Sequence, residues 1–263
     1  LQKELKDDPA VTALCEKFSN ENQPKRSDLI AIGAEVAQEP QDVGLARKLV
    51  VATLMWGYGT KGRVYVQAPR ALSEDAERLE EAALGANDAL RNYDVKAAYD
   101  SFRLPRHPKG YNWGFFTKYL YFFGQGLGWP DGLAPPLIWD SRVTATLNYY
   151  EELFGWHPVW PRGVSNRYSY FCESVFAWAD ELGVRPDQVE LVLFRSSDIG
   201  GRAELLELAA HAIHESGGPS AHVQELIQAL PPELRDEVLR RVQRLSSNTT
   251  WTCGGPSFVA SLI

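Results

Sequence analysis

Apolar residues recur at helical spacing in segment after segment of this 263-residue chain, and no run alternates apolar and polar long enough for a half-buried strand. "VGLARKLVVATLMW" is the strongest case. Its apolar residues at 45, 49, 50 and 54, with Thr53 on the same stretch, predict a buried helix, Asp42 stands before it as a cap, and Gly57, Gly59 and Gly62 force a loop after it. The same spacing predicts helices over 8–20 behind Asp8, over 27–38 behind Ser27, behind Ser73 in "SEDAERLEEAALGANDAL", and in "NYDVKAAYDSF". Further on come "IWDSRVTATLNYYEELFG" between an Asp140 cap and Gly155, "RYSYFCESVFAWADELG", and "RPDQVELVLF" with Pro186 in its first turn. Two amphipathic stretches in the tail, "GRAELLELAAHAIHES" and "PPELRDEVLRRVQRL", complete the series. The expected fold class is all-α, with two helical lobes and a cleft between them.

Charge and cysteine usage narrow the function classes. The net charge of −7 offers no global attraction to nucleic acid or to an acidic membrane, so any DNA contact has to use a local basic cleft. Cys15, Cys172 and Cys253 have no C-x-x-C spacing, which points away from disulfide scaffolds and zinc knuckles and toward a cytoplasmic setting. No apolar stretch has membrane-spanning length, and "LQKELKDDPA" does not read as a signal peptide. "GYGTKGR" follows a helix and lacks the phosphate-loop signature, and "HAIHE" at 211–215 has no further ligand cluster. Neither a cofactor nor a metal is expected.

One lysine does not fit the pattern. In "YNWGFFTKYLYFFG", Phe115 and Phe122 fall three before and four after Lys118, so a helix puts all three on one face. Lys118 is also the last lysine of the chain, with ten arginines and no lysine after it. Burial among rings disfavours an ammonium and would make the amine a nucleophile. The competing expectation is a snorkelling stem with its head in water. Asp140 follows a Gly/Pro-rich loop and begins a helix, where backbone N–H groups and the helix end favour an ionised carboxylate. A helix–loop–helix hairpin of this length can return that carboxylate to the lysine.

The segments "FFTKYLYFFG" and "PPLIWDSRV" resemble the lysine and aspartate segments of the 8-oxoguanine DNA glycosylases of the helix-hairpin-helix superfamily. "LARKLVVATLMWGYGTKGRV" and "YSYFCESVFAWADELG" fall in order where that family has a helix leading to its duplex-probing loop and its last core helix. The resemblance spans roughly residues 42–195. It implies N-terminal helices over 1–41, a glycosylase-like domain over 42–199, and a C-terminal extension over 200–263 open to a protein partner.

The resemblance also implies a chemistry. Lys118 attacks the sugar C1′ of a flipped, oxidised purine nucleotide in DNA, such as 8-oxoguanine, leaving a Schiff base that permits AP lyase activity. Asp140 stabilises the cationic sugar. Trp178 serves as a stacking wall, Glu173 reads base N–H groups, and Tyr58 fills the vacated stack. Core packing for Trp178 and a loop anchor for Tyr58 are the rival expectations. Where the family hairpin often reads L-P-G-V-G, this chain has "PKGYNWGFF" behind Arg103, Arg106, His107 and Lys109. Arg106, Lys109 and Tyr111 are the candidate DNA contacts there. A second reading keeps the fold as a nucleobase-, nucleotide- or protein-binding ancillary factor, since such proteins resemble members of bacterial anti-phage operons built on cyclic-oligonucleotide signalling.

Overall fold

The computed structural model describes residues 9–18, 23–58, 64–154 and 163–196, together with 236 and 240. Among the described residues every regular element is helical: α1 Pro9–Lys17, α2 Arg26–Gln38, α3 Val43–Tyr58, α4 Val64–Pro69, α5 Ala76–Arg91, α6 Val95–Arg103, α7 Trp113–Leu127, α8 Ser141–Phe154, α9 Val164–Leu182 and α10 Pro186–Arg195. A π turn, Arg70–Glu74, joins α4 to α5. The chain forms two compact units, Leu1–Thr144 with Val159–Phe194, and Ala145–Pro158 with Arg195–Ile263. α1 and α2 thus share a unit with α3 to α7. The two tail helices expected from the sequence lie outside the described residues, apart from Asp236 and Arg240, which are helical and exposed.

α7 is the centre of the first unit. Its residues Phe115 to Gly124 are all buried. A helix apolar all round belongs inside a core rather than at a surface, and each fully buried aromatic or aliphatic side chain contributes about 1.5–3 kcal/mol. Phe102 of α6 stacks on Phe116 with ring centroids 5.4 Å apart and planes within 4°. Tyr119 donates its hydroxyl to Asn87 of α5 at 2.9 Å, and Asn87 donates to the Pro40 carbonyl at 2.8 Å, so the polar groups in this layer are satisfied.

α2 crosses α7 at backbone contact. A Cβ built at Gly33 would lie 2.1 Å from the Phe122 carbonyl oxygen, and one at Gly126 would lie 2.2 Å from the Ala34 nitrogen. Only glycine lets the two helices approach this closely.

Several caps match the sequence and two do not. Asp42 accepts the Leu45 N–H at 2.9 Å as expected; Asp94, a cap not expected from the sequence, accepts the Ala97 N–H at 2.8 Å. Ser27 lies inside the first turn of α2, whose start is instead fixed by Asp28 accepting the Lys25 N–H at 2.9 Å. Ser73 sits in the π turn, and α5 begins only after Asp75, because that carboxylate is engaged elsewhere. α4 had no sequence signal strong enough to separate it from the glycine loop before it.

Candidate active site

Asn112 starts α7, its side chain accepting the Gly114 N–H at 3.2 Å. Long helical side chains point back toward the N-terminus, and Lys118 does so: its Nζ donates to the Gly114 carbonyl at 2.7 Å. The same Nζ donates to Asp140 Oδ2 at 3.1 Å and sits 5.3 Å from the Phe115 ring centroid. Lys118 is 6% exposed and Asp140 9%, so the amine does not snorkel. Burial pushes the Lys118 amine below the usual lysine range, and Asp140 opposes that shift without cancelling it.

Asp140 is held from the other side. Its Oδ1 accepts the N–H groups of Arg142 at 3.0 Å and Val143 at 3.2 Å, capping α8. One oxygen therefore caps and the other receives the amine. The register is set one residue earlier in each segment: the Thr117 hydroxyl accepts the Trp139 N–H at 3.2 Å and donates to the Trp113 carbonyl at 2.9 Å. Trp139 in turn stacks on Tyr168 and Phe171 of α9, with centroids 6.0 and 5.7 Å away, and Tyr168 donates to the Leu137 carbonyl at 2.8 Å. Two zipped residues and an aromatic stack thus hold the carboxylate against the amine.

Asp140→Ala removes both the cap and the partner of a buried ammonium. Its expected cost is about 3–5 kcal/mol, the range for breaking a buried pair. Asp140→Asn keeps an acceptor at the cap and should cost clearly less; equal losses of the two in urea unfolding would refute this division of labour.

The other sequence candidates are scattered. Tyr58 ends α3 half-buried, its ring 4.3 Å from Phe115, the ring beneath the Lys118 amine. Trp178 is half-buried and Glu173 exposed on α9, whereas the α9 side chains stacked behind Asp140 are Tyr168 and Phe171. Tyr111 is a correction. It is 0% exposed, its hydroxyl 2.7 Å from Thr53 Oγ1, so it anchors the hairpin loop in the core and presents nothing to DNA.

Arg106 and Lys109 are exposed on that loop but already engaged. Arg106 meets both oxygens of Asp75 at 2.5 and 2.7 Å, the Lys109 N–H donates to Asp75 at 2.8 Å, and Lys109 Nζ lies 3.8 Å from Glu74. Arg78 of α5 braces the same loop by donating to the carbonyls of Ser101, Leu104 and Arg106. The Arg106 guanidinium holds the Asp75 carboxyl down to about 2, below its usual 3.8. A depressed acid adds stability above its unfolded pKa and loses it as pH falls toward the folded one. Protection of the Lys109 amide, measured as its exchange relative to the intrinsic rate at each pH, should therefore hold down to about pH 4 and fall toward pH 2; unchanged protection across that window would show that Asp75 does not pin the loop.

Among the described residues no group of three or more His, Cys, Asp and Glu side chains is placed to hold a metal, and no helix is long and apolar enough to cross a membrane. Burial pushes the Cys172 thiol up to about 12, which removes it as a competing nucleophile. Sequence reasoning missed the ion pair of Arg26 with Glu190. Glu190 of α10 is 2% exposed, and Arg26 of α2 donates to it at 2.9 Å.

Among the described residues the architecture is all-helical, with a desolvated amine held against a carboxylate. The family described as "putative 8-oxoguanine DNA glycosylase OGG-like protein" matches residues 1–194, and the chain belongs to that family. No curated protein and no solved structure matches it.

Proposed function

We propose that this protein is a DNA N-glycosylase acting on an oxidised purine, with Lys118 as nucleophile and Asp140 as its proton acceptor and electrostatic partner. The observation that carries this is the buried Lys118–Asp140 contact at 3.1 Å within a family of OGG-like proteins. The deprotonated amine attacks C1′ of a nucleotide flipped from the duplex. The N–C1′ bond forms, the glycosidic C1′–N9 bond breaks, and the base departs with the electron pair and takes up a proton. Opening of the sugar ring gives the imine; loss of a C2′ proton then expels the 3′ phosphate. Asp140 takes the proton released from Nζ and offsets positive charge building on the sugar.

The test is borohydride trapping on duplexes carrying 8-oxoguanine or an abasic site. A covalent protein–DNA band supports the proposal, and no band with any damaged duplex or single strand overturns it.

One observation favours a second reading. Arg106 and Lys109 are paired with Asp75 and Glu74 on a chain of net charge −7, which leaves little free positive charge on the hairpin for phosphates. A binding factor for a free nucleobase, a nucleotide or a protein would suit that surface. Binding to duplex DNA that weakens steeply with salt supports the glycosylase; affinity for a free base or nucleotide without DNA affinity supports the binding factor.

A further inference from the structure

We propose that Phe115 is the gate of the Lys118 amine, a positioning residue whose ring covers the amine until it turns away, with Tyr58 at the end of α3 as the latch on that ring. This deepens the glycosylase reading and rests on it for its catalytic consequence, though not for its physical content.

Gly114, Asp140 and Phe115 all meet Nζ of Lys118, and they differ in how freely each can move. The Gly114 carbonyl, 2.7 Å away, belongs to the backbone of α7. Asp140, 3.1 Å away, cannot turn without dropping the Arg142 and Val143 N–H groups that it caps. The Phe115 ring has its centroid 5.3 Å from Nζ and stands one turn back on the same face of α7. It holds the ammonium through its π face and makes no hydrogen bond. A change of rotamer at Phe115 therefore leaves no polar group unsatisfied, which is not true of the other two.

The neighbours of that ring are unequal too. Tyr111, with centroids 6.3 Å apart, is fully buried and tied through its hydroxyl to Thr53, so it is a fixed wall. Tyr58 is half-buried, with its ring 4.3 Å from Phe115 and tilted by 41°. Gly57 beside it is exposed, and a Cβ built there would fall 2.5 Å from Phe115 Cε1. The ring thus fills the space that a side chain at 57 would need. Tyr58 is also the last residue of α3, where a helix end is held by fewer backbone bonds than its middle. Phe115 is backed by a rigid wall and closed in by a helix terminus.

Closed, this arrangement leaves Lys118 6% exposed and Phe115 8%. A nucleophile so covered has to be uncovered before it can meet a substrate, and the ring is the cover that moves without breaking a cap or a helix. Opening gives up two contacts, ring on Tyr58 and ring on ammonium. Both are contacts that a planar aromatic group of a substrate, such as a nucleobase, can replace.

The test is acylation of Lys118 in the full chain by N-hydroxysuccinimidyl acetate, read by peptide mass spectrometry against Lys96, which is exposed on α6. Cys172, 1% exposed, reports unfolding through its reaction with a thiol reagent. Phe115→Ala should raise the Lys118 rate relative to Lys96 at least about tenfold, as the open population grows, while Cys172 stays shut. Tyr58→Ala, which removes only a half-buried ring, should raise it by a smaller factor, and Phe115→Leu should restore most of the protection. An unchanged Lys118 rate with Cys172 shut overturns the inference, in Phe115→Ala or, where that variant exposes Cys172, in Tyr58→Ala. Cys172 opening in step with Lys118 in both variants also overturns it, because the rings would then hold the fold rather than the amine. Faster acylation in the variants with no borohydride trapping of wild type on an abasic duplex supports the gate and overturns the glycosylase reading. Trapping of wild type with unchanged acylation does the reverse.

Discussion

Lys118→Gln should abolish the borohydride-trapped adduct and lower base release on the order of 10³-fold or more, the scale expected when a covalent nucleophile is removed. The substitution is chosen because glutamine still carries an N–H donor for the Gly114 carbonyl and for Asp140, the two partners of the native amine. The Asp140 cap on α8 is untouched, since Oδ1 keeps the Arg142 and Val143 N–H groups. Helix content by circular dichroism should therefore match wild type while covalent capture is lost. An adduct that survives in Lys118→Gln would place the nucleophile on another residue and leave the buried pair a structural one.

Gly33→Ala should produce a large loss of stability, about 3 kcal/mol, at the upper end of overpacking costs. A new methyl at that position meets the Phe122 carbonyl oxygen at 2.1 Å and its carbon at 2.7 Å. Both are backbone atoms of a buried helix, so no side chain can swing aside; α2 and α7 have to separate. For a domain of this size such a loss lowers Tm by roughly 6–12 °C. Gly85→Ala is the control, because its methyl would meet only the exchangeable Ser101 hydroxyl at 3.2 Å. Equal melting of the two variants would show that the helix crossing tolerates separation.

The parts of this molecule that were legible in the sequence are those with local causes. The caps at Asp42 and Asp140 needed only a side chain and two or three following residues. The meeting of Lys118 with Asp140 was legible because a Gly/Pro-rich loop returns the chain from α7 to the start of α8, and the Thr117–Trp139 bonds complete the register. Ser73 misled because a π turn inserts before α5 and Asp75 is drawn to Arg106. Tyr111 misled because it follows a basic run, whereas its ring turns inward to Thr53 and Phe102. Arg26 and Glu190 were invisible for a plainer reason: a surface-type arginine and an acid in "DQVELV" carry no periodic signal, and only packing across the whole domain buries them together.

The double engagement of the Lys118 head group has a chemical consequence of its own. A head group that already donates to a carbonyl and a carboxylate has to give up those bonds before it can meet an electrophile arriving from solution. Any reactant at Lys118 has therefore to offset the loss of both bonds with contacts elsewhere, a demand that the exposed lysines of the chain do not make.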